Sequence, residues 1–298
     1  MKAKLVLWVE EYFYAPKPFQ KFLSFLLIPL SWIYCFVMWS RYKLANAEDL
    51  GIEVVSVGNL HVGGSGKTPF VIALAQNQRN IAIILRGYGR ESQGMIVVKH
   101  AGEILCDVAQ SGDEAMIYAQ KLPFATVIVS EDRKKAIHHA KELGLCRVIL
   151  DDGYSKHMIK KKDILLSINT SNQHCLPAGA FRERLWKGKQ AYIAHEDTDF
   201  FRHVTLQDAT PRMVLVTAIA RPQRLDKYLP EVVGKYYFED HHSFTKEELE
   251  TILKEQHATS LLVTLKDYVK IEQFGLPVSL LDLDITLSNE VINFVAFE

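Results

Sequence analysis

The sequence predicts an α/β fold in which a parallel sheet flanked by helices is followed by a second, smaller α/β domain and preceded by an apolar helix. After residue 50, short apolar segments alternate with helical stretches. These segments are apolar on both faces, as are the strands of a parallel sheet that is covered on both sides. A polar region at 195–210 separates this series from a second one, and a long apolar run lies before residue 50.

The predicted elements follow in order along the chain. In the first unit the strands are 52–57, 81–85, 127–129, 148–150 and 164–168, and the helices are about 68–78, 113–121 and 132–143. In the second unit the strands are 213–217, 236–238, 261–264 and 278–283. Thr245 and Glu248 form a capping-box pattern that predicts a helix ending near His257. The expected regions are an apolar segment at 1–50, a first domain at 51–208 and a second domain at 209–298.

The apolar run extends from Phe22 to Trp39, with Lys21 before it and Arg41 after it. Its 18 residues span about 27 Å as a helix, slightly less than a hydrocarbon core of about 30 Å. Pro29, in the middle of the run, predicts a kinked or split helix. A spanning helix, an interfacial anchor and a buried core helix all fit the run. Its aromatic residues and flanking cations favour a shallow membrane anchor.

The composition is that of an ordinary globular protein, with 48% hydrophobic and 23% charged residues. The 35 basic and 35 acidic residues cancel, so no basic excess indicates a nucleic-acid partner. The four cysteines form no C-x-x-C pair. Their spacing argues against a zinc site or a disulfide framework and suits a reducing cytoplasm.

The strongest local motif is HVGGSGKT at 61–68, which follows one predicted strand and precedes a predicted helix. Glycines let the backbone N–H groups of such a loop approach phosphate oxygens. Lys67 then reaches the β- and γ-phosphates, and the Thr68 hydroxyl binds Mg²⁺. The motif predicts a P-loop NTPase-like fold that binds ATP. The predicted nucleotide-binding residues are His61, which replaces the usual first glycine, Val62, Gly63, Gly64, Ser65, Gly66, Lys67 and Thr68.

Two carboxylates, Asp151 and Asp152, follow the apolar strand that ends at Leu150. A strand that brings carboxylates to its C-terminal edge beside a phosphate loop predicts a magnesium site. Asp and Gly also favour a plain solvated turn at the same place. Beside Lys67 and Thr68, the magnesium interpretation is favoured.

Asp113 opens a predicted helix, where an acidic residue commonly acts as a cap or as a partner of the helix dipole. The functional alternative is that Asp113 accepts the proton of an attacking sugar hydroxyl, directly or together with a histidine. His241, in the FEDHHSF segment at 238–244, is the candidate histidine. Asp113, His241 and Lys67 are therefore the predicted catalytic residues.

Arginines recur after the predicted strands, in LRGYGR at 85–90, SEDR at 130–133 and AFRER at 180–184. Each arginine alone suits a solvated surface. Planar guanidinium groups also suit phosphates on ATP or on an anionic substrate. The predicted substrate-binding residues are Arg86, Tyr88, Arg133 and Arg182.

In this order, the motifs resemble those of the tetraacyldisaccharide 4'-kinase family. The similar segments are VGNLHVGGSGKTPF at 57–70, LRGYGR at 85–90, SGDEA at 111–115, ILDDG at 149–153, LPAGAFRE at 176–183, AIARPQR at 218–224, FEDHHSF at 238–244 and TLKD at 264–267. The ordered set covers most of the chain and is much more specific than the phosphate loop alone. The family's loop also lacks the first glycine.

The resemblance implies transfer of the ATP γ-phosphate to the 4'-hydroxyl of a tetraacylated glucosamine disaccharide 1-phosphate, which yields the 1,4'-bisphosphate lipid A precursor of lipopolysaccharide. It implies a site in a cleft between two α/β/α domains, at the cytoplasmic face of the bacterial inner membrane. The lipid substrate and the membrane surface are the expected partners, without nucleic acid or an obligate protein partner. The family's acid–histidine pair falls on Asp113 and His241, and Glu183 falls near the metal with Asp151 and Asp152.

Two segments leave questions open. The family reads D-D-G-F-Q-H where this chain reads DDGYSKH at 151–157, so the family's substrate role is not carried over to His157. TLKD resembles the base-reading motif of GTP-binding proteins, so Lys266 and Asp267 suit either a base contact or a strand-ending turn.

Two other classes of protein share parts of this pattern. A membrane-associated GTPase switch or metal-insertion chaperone would have a similar phosphate loop, but the chain lacks a full N-K-x-D and a metal-storing Cys/His cluster. A non-catalytic nucleotide-binding membrane adaptor is less favoured because Lys67, Thr68, Asp113 and both strand-end aspartates are all present.

Overall fold

The computed structural model has two mixed sheets, each covered by helices, and it describes residues 2–63, 66–167, 170, 172–219, 222–240 and 242–296. The first sheet has the strand order β4-β3-β5-β2-β6-β1-β7-β8. Its strands are β1 Glu53–Gly58, β2 Ile81–Leu85, β3 Ile96–His100, β4 Glu103–Ile104, β5 Thr126–Val129, β6 Arg147–Asp151, β7 Lys162–Leu166 and β8 Tyr192–Ala194. The strands from β5 to β8 in this order pair in parallel, whereas β3 runs antiparallel to β5 and β4.

The second sheet has the strand order β11-β10-β12-β13-β9. Its strands are β9 Phe200–Gln207, β10 Met213–Thr217, β11 Gly234–Tyr237, β12 Ser260–Thr264 and β13 Val278–Leu287. They pair in parallel except for β9, which runs antiparallel to β13.

Helices connect and cover these strands. They are α1 Lys2–Tyr14, α2 Pro18–Leu44, α3 Lys67–Ala75, α4 Val108–Ser111, α5 Asp113–Lys121, α6 Arg133–Glu142, α7 Lys246–Glu255, α8 Leu265–Ile271 and α9 Asn289–Val295, with 3-10 helices at Pro222–Tyr228 and Glu272–Phe274. Thr245 caps α7 at the predicted position, since its hydroxyl accepts from the Glu248 N–H at 3.2 Å, while the Glu248 carboxylate pairs with His242.

The predicted fold class is confirmed, because both faces of the first sheet are buried. Ile83 packs in the same core cluster as α3 and α5, whereas its neighbour Ile84 packs with α6 on the other face. Alternate side chains of a strand point to opposite faces. An apolar strand such as β2, buried along its whole length, is therefore the expected sequence for the centre of this sheet.

The polar region at 195–210 does not separate the two units. Residues 200–207 form β9, which pairs with β13 along its length. β9 is an edge strand, and most of its side chains are exposed, so its composition resembles that of a polar linker. In the opposite direction, Val291 and Val295 of α9 pack in the core cluster of the first sheet. A domain boundary near 208 stays a prediction. β9, which precedes this position, pairs with the second sheet, and α9, which follows it, packs on the first sheet.

Helix α2 runs without interruption through Pro29 and is longer than the predicted apolar run, so the expected split does not occur. Its buried side chains are the polar ones of Gln20, Ser24 and Ser31. Large apolar side chains point outward, with Phe25 67% and Trp32 68% exposed. Among the described residues, this helix is long and apolar enough to cross a membrane. Such an inverted pattern excludes the interpretation as a buried core helix.

The polar side of α2 contacts the loop at 172–182. The Ser24 hydroxyl donates to the Ala178 carbonyl at 2.6 Å, and the Ala178 N–H donates to the Ser31 hydroxyl at 2.9 Å. A disulfide joins Cys35 of α2 to Cys175 of the loop. The expectation of no disulfide was wrong for this pair. The two cysteines are 140 residues apart and meet only through the packing of α2 on this loop, which their spacing cannot reveal.

Candidate active site

The phosphate loop leads from β1 into α3, as the motif predicts. Gly66 precedes the helix with a φ of 76°, a left-handed conformation that favours glycine. A Cβ added at Gly66 would lie 2.8 Å from the Arg202 guanidinium of β9, a contact that the flexible arginine side chain can relieve, so the backbone conformation is what requires glycine. Gly63 has a φ of 94°, and Gly64 and Ser65 lie outside the described residues.

Lys67 lies at the C-terminal edge of β1 and β6. Its Nζ is 3.5 Å from Asp152 Oδ1 and 3.4 Å from Asn59 Oδ1. Arg182 binds the same two side chains, donating from Nη1 to Asp152 Oδ2 at 2.9 Å and from Nη2 to Asn59 Oδ1 at 2.8 Å. Burial opposes ionisation of Asp152, but Lys67 and Arg182 outweigh it and hold the pKa of its carboxyl below the ordinary value. The carboxylate therefore stays charged between the two cations.

Asp151 lies on the buried side of the same strand end. Tyr118 donates to its Oδ2 at 2.9 Å, whereas Oδ1 is buried without a hydrogen-bond partner. Burial and the Glu114 carboxylate raise the pKa of Asp151 to about 7. The Thr68 hydroxyl bonds to the same tyrosine. An unpaired buried carboxylate oxygen is costly, so this atom fits a cation beside the phosphate loop.

The predicted metal set is not brought together in full. Glu183 Oε1 lies 3.6 Å from His157 Nε2, and Glu183 Oε2 accepts from the Trp186 indole at 3.4 Å. Within the part of the chain that the structure describes, no group of three His, Cys, Asp or Glu side chains has the geometry of a metal site. Asp151 and Thr68 form a smaller donor set. Mg²⁺ accepts such a set, because it takes much of its shell from water and substrate phosphates.

His61 is a packing residue in the loop. Its ring is buried against Phe181, with centroids 4.1 Å apart, and neither ring nitrogen has a hydrogen-bond partner. Burial, reinforced by the nearby Arg182, lowers the pKa of His61 to about 4. Val62 is engaged by the protein as well, since its N–H donates to the Ala180 carbonyl at 2.9 Å and its carbonyl accepts from Tyr14. Both residues of the predicted nucleotide site therefore contact the protein itself. His61 does so by ring packing and Val62 by backbone hydrogen bonds.

Asp113 is the first residue of α5, and its Oδ2 lies 3.1 Å from Lys270 Nζ of α8. The next residue, Glu114, lines a cavity together with Lys67. His241, the other member of the predicted pair, lies outside the described residues. Asp113 therefore precedes a residue that lines the phosphate-loop cavity, and its own carboxylate contacts the second unit through Lys270.

The cavity has a volume of about 320 Å³ and lies between the phosphate loop and the second sheet. Its wall includes Gly66, Lys67, Thr68 and Glu114 from the first unit and Arg202, Lys266 and Asp282 from the second. Arg202 was missed by the sequence reasoning. Nothing local marks it, because it lies in the polar segment that was interpreted as a separation. Arg202 also pairs with Glu196, at 3.2 Å.

Two further cavities lie between α2 and the C-terminal edge of the first sheet. One, of about 170 Å³, is lined by Asp152, Arg182, Asn59 and residues of α2. The other, of about 740 Å³, is lined by Arg41, Arg133 and Lys156 among others. Burial and the nearby Arg133, Arg86 and Arg41 lower the pKa of Lys156, which indicates that like charges converge here. Arg86 and Tyr88 are exposed just after β2.

The two open questions concern residues that have structural partners. His157 lies between Glu183 and Lys189, whose Nζ is 2.9 Å from His157 Nδ1. Asp267 is buried and accepts from the Thr217 and Thr264 hydroxyls, both at 2.7 Å, and from the Ala218 N–H at 2.9 Å. Asp267 therefore stabilises the turn that follows β12. The TLKD segment, which resembles the base-reading motif of GTP-binding proteins, thus has a structural explanation.

The fold and this site define a P-loop phosphotransferase, with a lysine and two carboxylates at one sheet edge and a second unit over the loop. A family model described as tetraacyldisaccharide-1-P 4'-kinase matches residues 23–199 and 187–296. The chain therefore belongs to the tetraacyldisaccharide-1-phosphate 4'-kinase family, as the motif resemblance indicated.

Similar proteins support this membership. Tetraacyldisaccharide 4'-kinase of Aliarcobacter butzleri is 44% identical over 98% of this chain and 96% of its own length. The enzyme of the same name from Helicobacter pylori strain 26695 is 42% identical over 96% of this chain and 92% of its own length. A crystal structure of LpxK from Aquifex aeolicus in complex with ATP is 27% identical, with a TM-score of 0.72 over 92% of this chain and 98% of that one.

Proposed function

We propose that this protein transfers the γ-phosphate of ATP to the 4'-hydroxyl of a tetraacyldisaccharide 1-phosphate. The observation that carries the proposal is the placement of Lys67 between two kinds of cavity. On one side Lys67 lines the phosphate-loop cavity, and on the other it contacts Asp152, which lines the cavity beside α2. A nucleotide in the first cavity and a membrane-borne acceptor in the second would therefore both lie near Lys67.

Asp151 and Thr68 would hold Mg²⁺, with Asp152 beside them. A Mg²⁺ ion held there would supply positive charge that offsets the charge developing on the phosphates during transfer. The Lys67 ammonium contributes a second fixed positive charge at the loop. Because these groups are held by the fold before ATP arrives, they need little reorganisation during the reaction.

Asp113 is the proposed general base. Its carboxylate would accept the proton of the 4'-hydroxyl as this oxygen attacks the γ-phosphorus, and the bond between that phosphorus and the ADP oxygen breaks. His241 is proposed as its partner on the sequence motif alone. The support for Asp113 is its position at the N-terminus of α5, next to a residue that lines the phosphate-loop cavity.

The lipid would approach along α2. The exposed apolar side of this helix, with Phe25 and Trp32, suits the acyl region of a bilayer. Arg41, Arg133 and Lys156 line the adjacent cavity and suit the phosphate of an anionic sugar head group. We place the enzyme at the cytoplasmic face of the inner membrane, where ATP is available.

The test uses the full chain in detergent, radiolabelled ATP and tetraacyldisaccharide 1-phosphate. We expect a labelled lipid with phosphate at the 4'-position, located by mass spectrometry. Lys67→Met should abolish the label, and Lys246→Met, at the exposed first residue of α7, is the matched control. GTP-selective binding without labelled lipid would overturn the proposal and favour the GTPase switch or chaperone.

A further inference from the structure

Helix α8 belongs to the second unit and is fixed at its start by the buried Asp267. Lys266 and Lys270 lie one helical turn apart on it. Lys270 Nζ lies 3.1 Å from Asp113 Oδ2 in the first unit, and it also donates to the His242 carbonyl at 3.2 Å. One ammonium group therefore contacts the proposed base in the first unit and the loop at 238–244 in the second unit.

The position of Lys270 is nearly enclosed. Its side chain is 8% exposed and that of Asp113 is 14% exposed, and the Phe244 ring lies 5.9 Å from Nζ. Enclosing a lysine is costly unless an opposite charge and hydrogen-bond acceptors compensate it. Asp113 and the His242 carbonyl supply both. Asp113 therefore has a specific cationic partner in a place where the carboxylate orientation is restricted.

The loop at 238–244 is held at a second point by the same helix. Lys266 Nζ donates to Asp240 Oδ1 at 2.8 Å, so Lys266 and Lys270 fasten the segments on either side of residue 241 to α8. His242 is in addition paired with Glu248 of α7 at 3.0 Å. Asp240 is therefore bonded to α8, and His242 is bonded to both α7 and α8.

We propose that Lys270 is a positioning residue that orients the Asp113 carboxylate and holds the loop at 238–244 against the start of α5. Asp113 and the loop at 238–244 are then positioned for catalysis only when α8 packs against α5. The inference rests on the proposed role of Asp113, since Lys270 acts through that carboxylate and not on the substrate. Neither the P-loop motif nor the aspartate–histidine motif contains this lysine.

The experiment compares Lys270→Met and Lys270→Arg with the surface control Lys246→Met in the full chain in detergent. We expect Lys270→Met to lower kcat by roughly 100-fold, the usual effect of misplacing a catalytic group by about an ångström, with the KM for ATP changed less than about threefold. Arginine retains the charge and should restore kcat to within about tenfold of wild type. Wild-type kcat in Lys270→Met would overturn the proposal, and so would arginine failing to restore activity in a protein of unchanged melting temperature.

Asp113→Asn and the double variant Asp113→Asn/Lys270→Met separate this proposal from the proposed function. Near-normal kcat in Asp113→Asn would remove the base itself. If Asp113→Asn is slow, the second substitution should add less than about a threefold further loss, because residues that act as one unit are not additive. A full multiplicative loss would show that Lys270 acts independently of Asp113 and would overturn the positioning role. The double variant also removes the uncompensated buried charge, so it tests the idea even where Lys270→Met folds poorly.

Discussion

Arg182 binds Asp152 with two guanidinium nitrogens, Nη1 donating to Oδ2 at 2.9 Å while Nη2 contacts Oδ1. The same carboxylate lies 3.5 Å from Lys67 Nζ. One carboxylate therefore links the cation of the phosphate loop to an arginine on the loop that contacts α2. Its orientation depends on arginine in particular, because lysine cannot make the planar two-point contact.

Replacing Arg182 by Lys or Met should impair catalysis to a similar degree. We expect kcat/KM for the lipid to fall roughly 10- to 100-fold in both variants, because the Asp152 carboxylate loses its fixed orientation beside Lys67. Steady-state kinetics at saturating ATP measure this, with the exposed Arg79→Met as control. Wild-type kinetics in Arg182→Lys would show that charge alone suffices and that the two-point contact has no role.

Replacing Gly66 by Ala should weaken ATP binding by more than about tenfold, since the left-handed backbone costs about 1–2 kcal/mol for a non-glycine residue and the new methyl group displaces the Arg202 guanidinium beside the phosphate loop. Gly94 provides a matched control, because its φ is 75° but an added Cβ would have no neighbour within 4 Å. Gly94→Ala should therefore lose stability only. Titration calorimetry with ATP distinguishes the two variants. Equal ATP affinities would contradict the close contact between Gly66 and Arg202.

His61 should make the protein less stable in acid. Its pKa is about 4 in the folded chain and about 6.5 in the unfolded chain, so the unfolded chain binds the extra proton between these values. Stability is therefore fully present above pH 6.5 and falls as the pH drops toward 4, by up to about 3 kcal/mol. Phenylalanine cannot titrate, so His61→Phe should remove this part of the pH dependence of the free energy of unfolding.

Urea unfolding of wild type and His61→Phe at pH 7.5, 5.5 and 4.5 measures the effect as the difference in the free energy of unfolding between the two proteins. His100→Phe, a partly buried histidine whose Nδ1 lies 3.1 Å from the Thr126 hydroxyl, is a suitable control. A difference between wild type and His61→Phe that does not change with pH would mean that the folded and unfolded chains bind the His61 proton equally, so that burial does not lower its pKa.

The outward side of α2 should determine membrane binding. Replacing Phe25, Trp32 and Phe36, all more than half exposed, by Ser should abolish flotation with phospholipid vesicles, because the area available to enter the bilayer is lost. ATP affinity should be unchanged. Leu105→Ser, at an exposed apolar residue elsewhere, is the control. Retained flotation of the triple variant would place the membrane contact elsewhere.

The parts of the site that could be predicted from the sequence depend on local signals. The phosphate loop, the strand ending at Asp151 and the helix beginning at Asp113 each combine a turn or cap with an adjacent apolar element. Arg202 and Lys270 carry no such signal. Their positions follow from the packing of β9 and α8 against the first unit, which residue spacing along the chain does not encode.

Two features of the structure differ from what the sequence suggests, and each has a physical explanation. Pro29 does not split α2, because proline in a long helix costs hydrogen bonds that a continuous helix can tolerate when neighbouring turns are intact. The segment at 200–207 was interpreted as a separation because an edge strand with exposed side chains resembles a polar linker in composition. For this segment, pairing with β13 overrides the local preference.

The loop at 172–182 has a neighbour on each side. Its Ala178 carbonyl accepts from the Ser24 hydroxyl, and its Ala178 N–H donates to the Ser31 hydroxyl of α2. On the other side, its Ala180 carbonyl accepts from the Val62 N–H at the start of the phosphate loop. A displacement of α2 relative to the first sheet would therefore reach the start of the phosphate loop through this one segment.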